Sequence, residues 1–254
     1  MLQIHQFPCL EDNYGFLIHD PASGATATID TPDAAEILRQ AEIKGWKITD
    51  IWNTHWHPDH AGGNADIVAV TGARVTGPAE VERIGKAADR VVDEGDVVAL
   101  GAIKARVLNV GGHTLGHIAY VFDEAKVGFV GDALFSMGCG RLFEGTPQQM
   151  WTSLSKIAAL PDEATLYCAH EYTASNARFA IHLDPDNRAL QTRVAEVTAL
   201  RAQGKPTVPM TLSVEKATNP FLRAPALKAS MGMESAADWE AFGEVRRRKD
   251  VFKG

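Results

Sequence analysis

NTHWHPDHAGGN, residues 53 to 64, places His55, His57, Asp59 and His60 within six positions at the end of a β-branched run. Neutral imidazole nitrogen and carboxylate oxygen are ligands that Zn, Fe(II) and Mn(II) accept, and the two-residue period of a strand sends His55 and His57 to the same side. Pro58 then turns the chain so that Asp59 and His60 face a second point, and Gly62 and Gly63 permit close backbone approach. A histidine-rich surface loop is the plainer reading, but three histidines and an aspartate at this spacing argue for a metal site.

Outward from this stretch the chain reads as short strands separated by Gly and Asp: TATID (26 to 30), ITDIWNT (48 to 54), ARVTG (73 to 77), KARVLNV (104 to 110), HIAYVF (117 to 122) and KVGFVGD (126 to 132). Helical stretches lie between them. One covers 33 to 44, with Thr31 expected as N-cap, Pro32 at the first helical position and Gly45 as the stop; another starts at Thr146, with Gln149 placed for a capping box, and ends before Pro161. Alternation of the two kinds makes the class α/β or α+β. After YCAHEY (167 to 172) the strand signal stops, and Leu190, Val194, Val197 and Leu200 recur at helical spacing before Gly204 and Pro206. This predicts a catalytic domain over 1 to 172 and a smaller helical domain over 173 to 254.

Composition narrows the function. The 254 residues are 45% hydrophobic and 22% charged, which excludes disorder and coiled coil. Lys plus Arg number 25 against 32 Asp plus Glu, a net charge of −7 that disfavours nucleic acid as a partner. No apolar run approaches the roughly 20 residues of a membrane span, and the N-terminal stretch lacks the unbroken apolar core of a signal peptide. Cys9, Cys139 and Cys168 form no CxxC pair and leave one thiol over under any disulfide scheme, so a reducing, cytoplasmic setting is expected.

One loop cannot complete two coordination shells. Three further candidates close apolar runs elsewhere: His113 in GGHTLGH, Asp132 at the end of VGFVGD, and His170 after TLYCA. A carboxylate in such a place costs several kcal/mol unless paired, and a dication removes that penalty. His117 opens a strand and reads as structural or as a support for the ligands; His5, His19 and His182 have no matching partners.

HWHPDHAGGN, GGHTLGH, GDALFSMGCGRLFEG, CAHEYT and KATNPFLR together resemble glyoxalase II, the hydroxyacylglutathione hydrolase branch of the metallo-β-lactamase superfamily, over nearly the whole chain. The resemblance implies an α+β fold, an αββα sandwich followed by a helical domain. It also implies two divalent ions, Zn first, with Fe and Mn suited to the same ligands. One ion would bind His55, His57 and His113 and the other Asp59, His60 and His170, with Asp132 bridging. The family has departures here: Pro58 for an aromatic, GGHT for PGHT, CAHEY for CGHEY, and Phe143 for Tyr, which removes a hydroxyl from the substrate-binding set.

Two bound dications lower the pKa of a shared water from about 15.7 toward about 7, which supplies hydroxide at neutral pH. A thioester suits such a site because its thiolate leaving group, of pKa roughly 8.5, departs without a protonating acid. Asp59 and Asp132 take the catalytic roles, and no Ser or Cys nucleophile is needed. The implied reaction is hydrolysis of S-D-lactoylglutathione to glutathione and D-lactate, in methylglyoxal detoxification, by a cytoplasmic monomer. Glutathione carries two carboxylates, and SAADWEAFGEVRRRKD (235 to 250) supplies cations. With Ser235 as N-cap and Trp239, Phe242 and Val245 as the apolar stripe, a step of about 100° per residue turns Arg246 and Lys249 inward and Arg247 and Arg248 to water. The resemblance selects the same inward pair, with Arg141 and Tyr172. Two alternatives are a persulfide dioxygenase of the same superfamily, which uses one iron and lacks the helical domain, and a non-catalytic metal-binding protein, whose site would be closed by four Cys or His ligands.

Overall fold

The β-branched runs become the strands of two sheets within the first of two units into which the chain divides, Met1–Asn109 with Gly116–Gly131. The computed structural model describes residues 1 to 254. One sheet orders β1 (Gln3–Cys9), β2 (Asn13–His19), β3 (Thr26–Ile29), β4 (Ile48–Trp52), β5 (Arg74–Gly77) and β6 (Arg90–Val91). Its first two pairings are antiparallel and its last three parallel. Parallel neighbours need crossovers. These are α1 (Ala34–Lys44) between β3 and β4, and the short α2 (Pro58–Ala61) followed by α3 (Asn64–Thr71) between β4 and β5. To the second sheet this unit contributes an antiparallel run of β7 (Val97–Leu100), β8 (Ile103–Asn109), β9 (Ile118–Phe122) and β10 (Val127–Gly131).

Aromatic side chains fill the space between the sheets. Trp52 packs on Tyr120 and Phe122 at 5.3 and 6.1 Å between ring centroids, and Phe16 meets Phe129 edge-on at 5.4 Å. The Tyr120 hydroxyl donates to the Asn53 carbonyl at 2.8 Å, so the end of β4 is held where the histidine loop begins. On the other face of the first sheet, Ile37 and Ala41 of α1 and Ile67 of α3 cluster with Leu17, Ile51 and Val75.

The second unit comprises Val110–Leu115 and Asp132–Gly254. It contains the tight hairpin β11 (Leu134–Phe135) and β12 (Gly138–Cys139), the helix α4 (Pro147–Ala158), and β13 (Thr165–Cys168) paired antiparallel with β14 (Met210–Thr211). Helices α5 (Thr173–Leu183), α6 (Arg188–Ala202), α7 (Leu212–Thr218), α8 (Lys228–Met231) and α9 (Asp238–Val251) make up most of the remainder. Ala177 and Ala180 of α5 pack with Leu190 and Val197 of α6 around Met137. Phe242 of α9 sits between Trp151 and Phe221 at 6.1 and 6.0 Å. No helix is long and apolar enough to cross a membrane.

Two expected caps fall elsewhere. The N-cap of α1 is Asp33, whose Oδ1 accepts from the Glu36 amide at 3.0 Å, whereas Thr31 donates its hydroxyl to Asn64 Oδ1 and its amide to the His60 carbonyl. A long-range partner has taken Thr31 away from the helix. The N-cap of α9 is Ala237 rather than Ser235, and the Glu240 carboxylate accepts from the Ala237 amide at 2.7 Å. Thr146 does cap α4, accepting from the Gln149 amide at 3.2 Å. Removing the α1 cap with Asp33→Ala should cost about 1 kcal/mol in urea unfolding, while Thr31→Ser, which keeps the hydroxyl, should cost less.

Candidate metal centre

The first unit offers four of the seven predicted ligands. His55 and His57 leave the end of β4 in alternate positions, and His55 Nε2 lies 3.0 Å from His57 Nδ1. Two nitrogens on one tetrahedral ion, with bonds of about 2.0–2.1 Å, stand about 3.3 Å apart, so this spacing suits a shared cation. Pro58 starts α2, which brings Asp59 Oδ2 to 3.5 Å from His60 Nε2. The ligand atoms of His55 and His60 lie within 4.8 Å of each other.

Hydrogen bonds assign the histidine tautomers. Asp30 Oδ2 accepts from His60 Nδ1 at 2.8 Å, which directs the His60 lone pair through Nε2. The same carboxylate accepts from the Thr54 amide and hydroxyl at 2.7 and 2.8 Å. Having donated its proton to Asp30, the Thr54 hydroxyl accepts from His55 Nδ1 at 3.1 Å, so His55 too presents Nε2. Asp30 holds a left-handed backbone angle (φ 58°), which Asp tolerates better than most side chains. Asn13 donates to Asp59 Oδ2 at 3.1 Å and orients that carboxylate. Gly63 is required by close approach: a Cβ there would lie 2.8 Å from the Thr31 carbonyl oxygen.

The second unit brings together the other three ligands. Asp132 is 7% exposed, with Oδ2 3.4 Å from His113 Nε2 and Oδ1 3.4 Å from His170 Nε2. Each carboxylate oxygen thus stands at the ligand-to-ligand distance from a different imidazole. His113 Nδ1 donates to the Arg141 carbonyl at 2.8 Å, which again directs Nε2 inward. Gly140 lets the chain return over this pair, since a Cβ there would collide with the Asp132 carbonyl oxygen and lie 3.1 Å from His113 Nδ1.

The remaining predicted residues surround the same ligands or lie on α9. Phe143 is 57% exposed, with its ring 5.2 Å from His113 and the Arg141 guanidinium 5.2 Å over it. Tyr172 stacks flat on His170 at 4.7 Å, and Phe135 meets both rings edge-on. Arg246 is buried and donates to the Cys139 carbonyl at 3.1 Å and to Asp250. Lys249 donates to the Ser175 carbonyl at 3.2 Å and lies 5.4 Å over the Phe179 ring. Arg247 and Arg248 instead both pair with Glu244 on the outer side of the helix. Burial, reinforced by the Arg246 and Arg178 charges, pulls the Lys249 pKa down to about 8.

Sequence reasoning passed over Asp30, Glu171, Glu215 and Asn219. Asp30 closes the apolar strand TATID as Asp132 closes VGFVGD, and the same signal would have found it. Glu171 anchors the segment before β14, accepting from the Thr207 amide and hydroxyl at 2.8 and 2.7 Å. His117 is buried with its ring stacked on His55 at 4.5 Å. His5, His19 and His182 pack against Phe7, Trp46 and Phe252.

Sheets with histidines and aspartates at their strand ends define the class, and a family model for the metallo-beta-lactamase superfamily matches residues 15 to 170. Solved structures share the fold: BLEG-1 B3 metallo-beta-lactamase at TM-score 0.67 and 19% identity, over 87% of this chain and 99% of that one, and ETHE1 from Myxococcus xanthus at TM-score 0.67 and 23% identity, over 97% of each. Within the superfamily, the chain belongs to the hydroxyacylglutathione hydrolase family. The model for that family's C-terminus matches residues 171 to 252. Relatives named hydroxyacylglutathione hydrolase include that of Erythrobacter litoralis, 61% identical over 99% of this chain and all of its own, and that of Maricaulis maris, 58% identical over 99% of both. Family and donor set together support divalent metal binding.

The three cysteines are buried. Burial pushes the Cys9 thiol to about 12, the Cys139 thiol to about 11 and the Cys168 thiol upward as well. Thiolate is scarce at neutral pH in all three. Each Cys→Ser variant should therefore keep kcat within about threefold of wild type in a thioester assay, and the native thiols should resist iodoacetamide at pH 8.

Proposed function

We propose that this protein hydrolyses 2-hydroxyacylglutathione thioesters, S-D-lactoylglutathione among them, with two divalent ions held by His55, His57 and His113 and by Asp59, His60 and His170, Asp132 bridging. The observation that carries the reading is the pair of 3.4 Å distances from the two oxygens of Asp132 to two different histidines. One oxygen on one histidine would be an ordinary ion pair. Two oxygens facing two imidazoles, all three groups buried, supports a carboxylate shared between two cations. When bound, the ions lower the pKa of water and polarise the thioester carbonyl. Zinc fits the nitrogen-rich donor set, and iron and manganese suit the same ligands.

The chain's own groups do the rest. Asp59, steadied by Asn13, accepts a hydrogen bond from the attacking hydroxide, whose parent water has lost one proton to solvent, and orients its oxygen toward the carbonyl carbon. As the C–O bond forms and the C–S bond breaks, the electron pair leaves on sulfur. A thiol of pKa roughly 8.5 departs as thiolate, so no side chain has to supply a proton at that point. Asp30 and the Arg141 carbonyl hold His60 and His113 in their ligand tautomers. Arg141, Phe143, Tyr172, Arg246 and Lys249 form the substrate-binding set. Lys249 and Arg246 receive the glutathione carboxylates, and Phe143 offers an apolar face without the hydroxyl of a tyrosine.

On this reading residues 1 to 172 form the catalytic domain and 173 to 254 the glutathione-binding one, in a monomer of the reducing cytoplasm. The match over 171 to 252 favours this reaction over that of a persulfide dioxygenase. The test is elemental analysis of purified protein beside hydrolysis of S-D-lactoylglutathione. Close to two ions per chain and a steady thioesterase rate are expected, with both ions and most of the rate lost in Asp132→Ala; one ion per chain with full activity would reject the binuclear site.

A pH profile tests the cationic site. With Lys249 near 8, its charge is present at pH 7 and fades as pH rises through 8, so KM for the glutathione thioester should rise several-fold between pH 7 and 9. Lys249→Arg should flatten that limb. Lys249→Ala should raise KM at pH 7 by roughly ten- to a hundredfold, for a contact of about 1.5–3 kcal/mol, with a smaller change in kcat. Arg247→Ala should do neither.

A further inference from the structure

We propose that Glu215 and Asn219, at the C-terminal half of α7 and just beyond it, are positioning residues that clamp the β11–β12 hairpin and through it set the geometry of Asp132 and His113. The proposal rests on the metal-ligand reading of those two residues.

Glu215 has no exposed surface and lies in the KATNPFLR region, with Asn219 inside that motif and equally buried. Its carboxylate accepts from the Ser136 hydroxyl at 2.9 Å, the Met137 amide at 2.8 Å and Asn219 Nδ2 at 3.1 Å. Asn219 Nδ2 also donates to the carbonyls of Phe135 and Gly138, each at 3.0 Å. Asn176 of α5 adds a third hold, donating to the Ser136 carbonyl at 3.1 Å. Every residue of the turn, 135 to 138, is thus gripped by a side chain from the helical part of this unit. The turn needs it, because Met137 takes a left-handed backbone angle (φ 53°) that a non-glycine residue adopts at a cost.

Both ends of the hairpin reach the ligands. Asp132 lies two residues before β11, while Gly140 follows β12 directly and packs on the Asp132 carbonyl and the His113 ring. Arg141, next along, gives the carbonyl that fixes the His113 tautomer. Shifting the turn therefore moves a carboxylate and an imidazole that stand 3.4 Å apart. Burial raises the Glu215 pKa, and the three donors oppose that rise, as expected of a carboxylate placed to hold main-chain and hydroxyl protons.

The experiment measures kcat, KM, thermal midpoint and the rate of metal loss to a chelator in the metal-loaded full-length protein. Glu215→Ala should lower kcat at least tenfold and speed metal loss at least tenfold in protein that remains folded at the assay temperature, with KM changed less than threefold. Glu215→Gln keeps one acceptor oxygen for the Met137 amide and Asn219 and turns an Nε2–H toward the Ser136 hydroxyl oxygen, which can accept it, so it should recover both to within about threefold. Should Glu215→Ala not fold, Ser136→Ala, which deletes one hydroxyl contact, should still speed metal loss two- to fivefold. A lowered midpoint with wild-type kcat and metal retention in the folded variants would overturn the proposal, leaving Glu215 a stability residue alone. Wild-type protein that holds metal but leaves glutathione thioesters intact would instead reject the functional reading, and the metal-loss comparison would still decide the clamp.

Discussion

A buried carboxylate flanked by imidazoles is the constraint around which this protein is arranged. Asp132 sits at the end of the apolar run VGFVGD with little solvent to stabilise its charge. A lone carboxylate in such a place would take up a proton or destabilise the fold by several kcal/mol. Two histidines, one facing each oxygen at 3.4 Å, make it a site for cations rather than a defect. Divalent metal binding, which the family and the donor set support, supplies the compensating charge.

Holding ligands in place demands partners that are not ligands. Asp30 accepts three hydrogen bonds and so ties the end of β3 to the loop after β4 and to His60. The Arg141 carbonyl does the corresponding service for His113, and Asn13 for Asp59. Each such bond removes rotational freedom that metal binding would otherwise have to remove, and those to His60 and His113 set which imidazole nitrogen can serve as a ligand.

Helix α9 places charge with the same economy. Its inward cations lie among aromatic rings, Arg246 over Phe221 and paired with Asp250, and Lys249 over Phe179 and Phe252, while its outward pair shares the single carboxylate of Glu244. The lowered Lys249 pKa follows from that crowding, since desolvation and two neighbouring guanidinium groups act in the same direction.

Local periodicity and residue chemistry were enough to determine the strands around residues 26 to 30, 48 to 54 and 126 to 132, the histidines and aspartates that follow them, and the burial of Arg246 beside the exposed Arg247. These depend on spacing along one element, which the chain carries in itself. Tertiary structure alone decided that Asp33 rather than Thr31 caps α1, that Asp30 selects the His60 tautomer, and that Glu215 and Asn219 grip a turn some 80 positions earlier. In each case a polar side chain had several partners of equal local merit. The choice fell to the group that folding brought within hydrogen-bonding distance and sealed from water, where leaving it unsatisfied costs most.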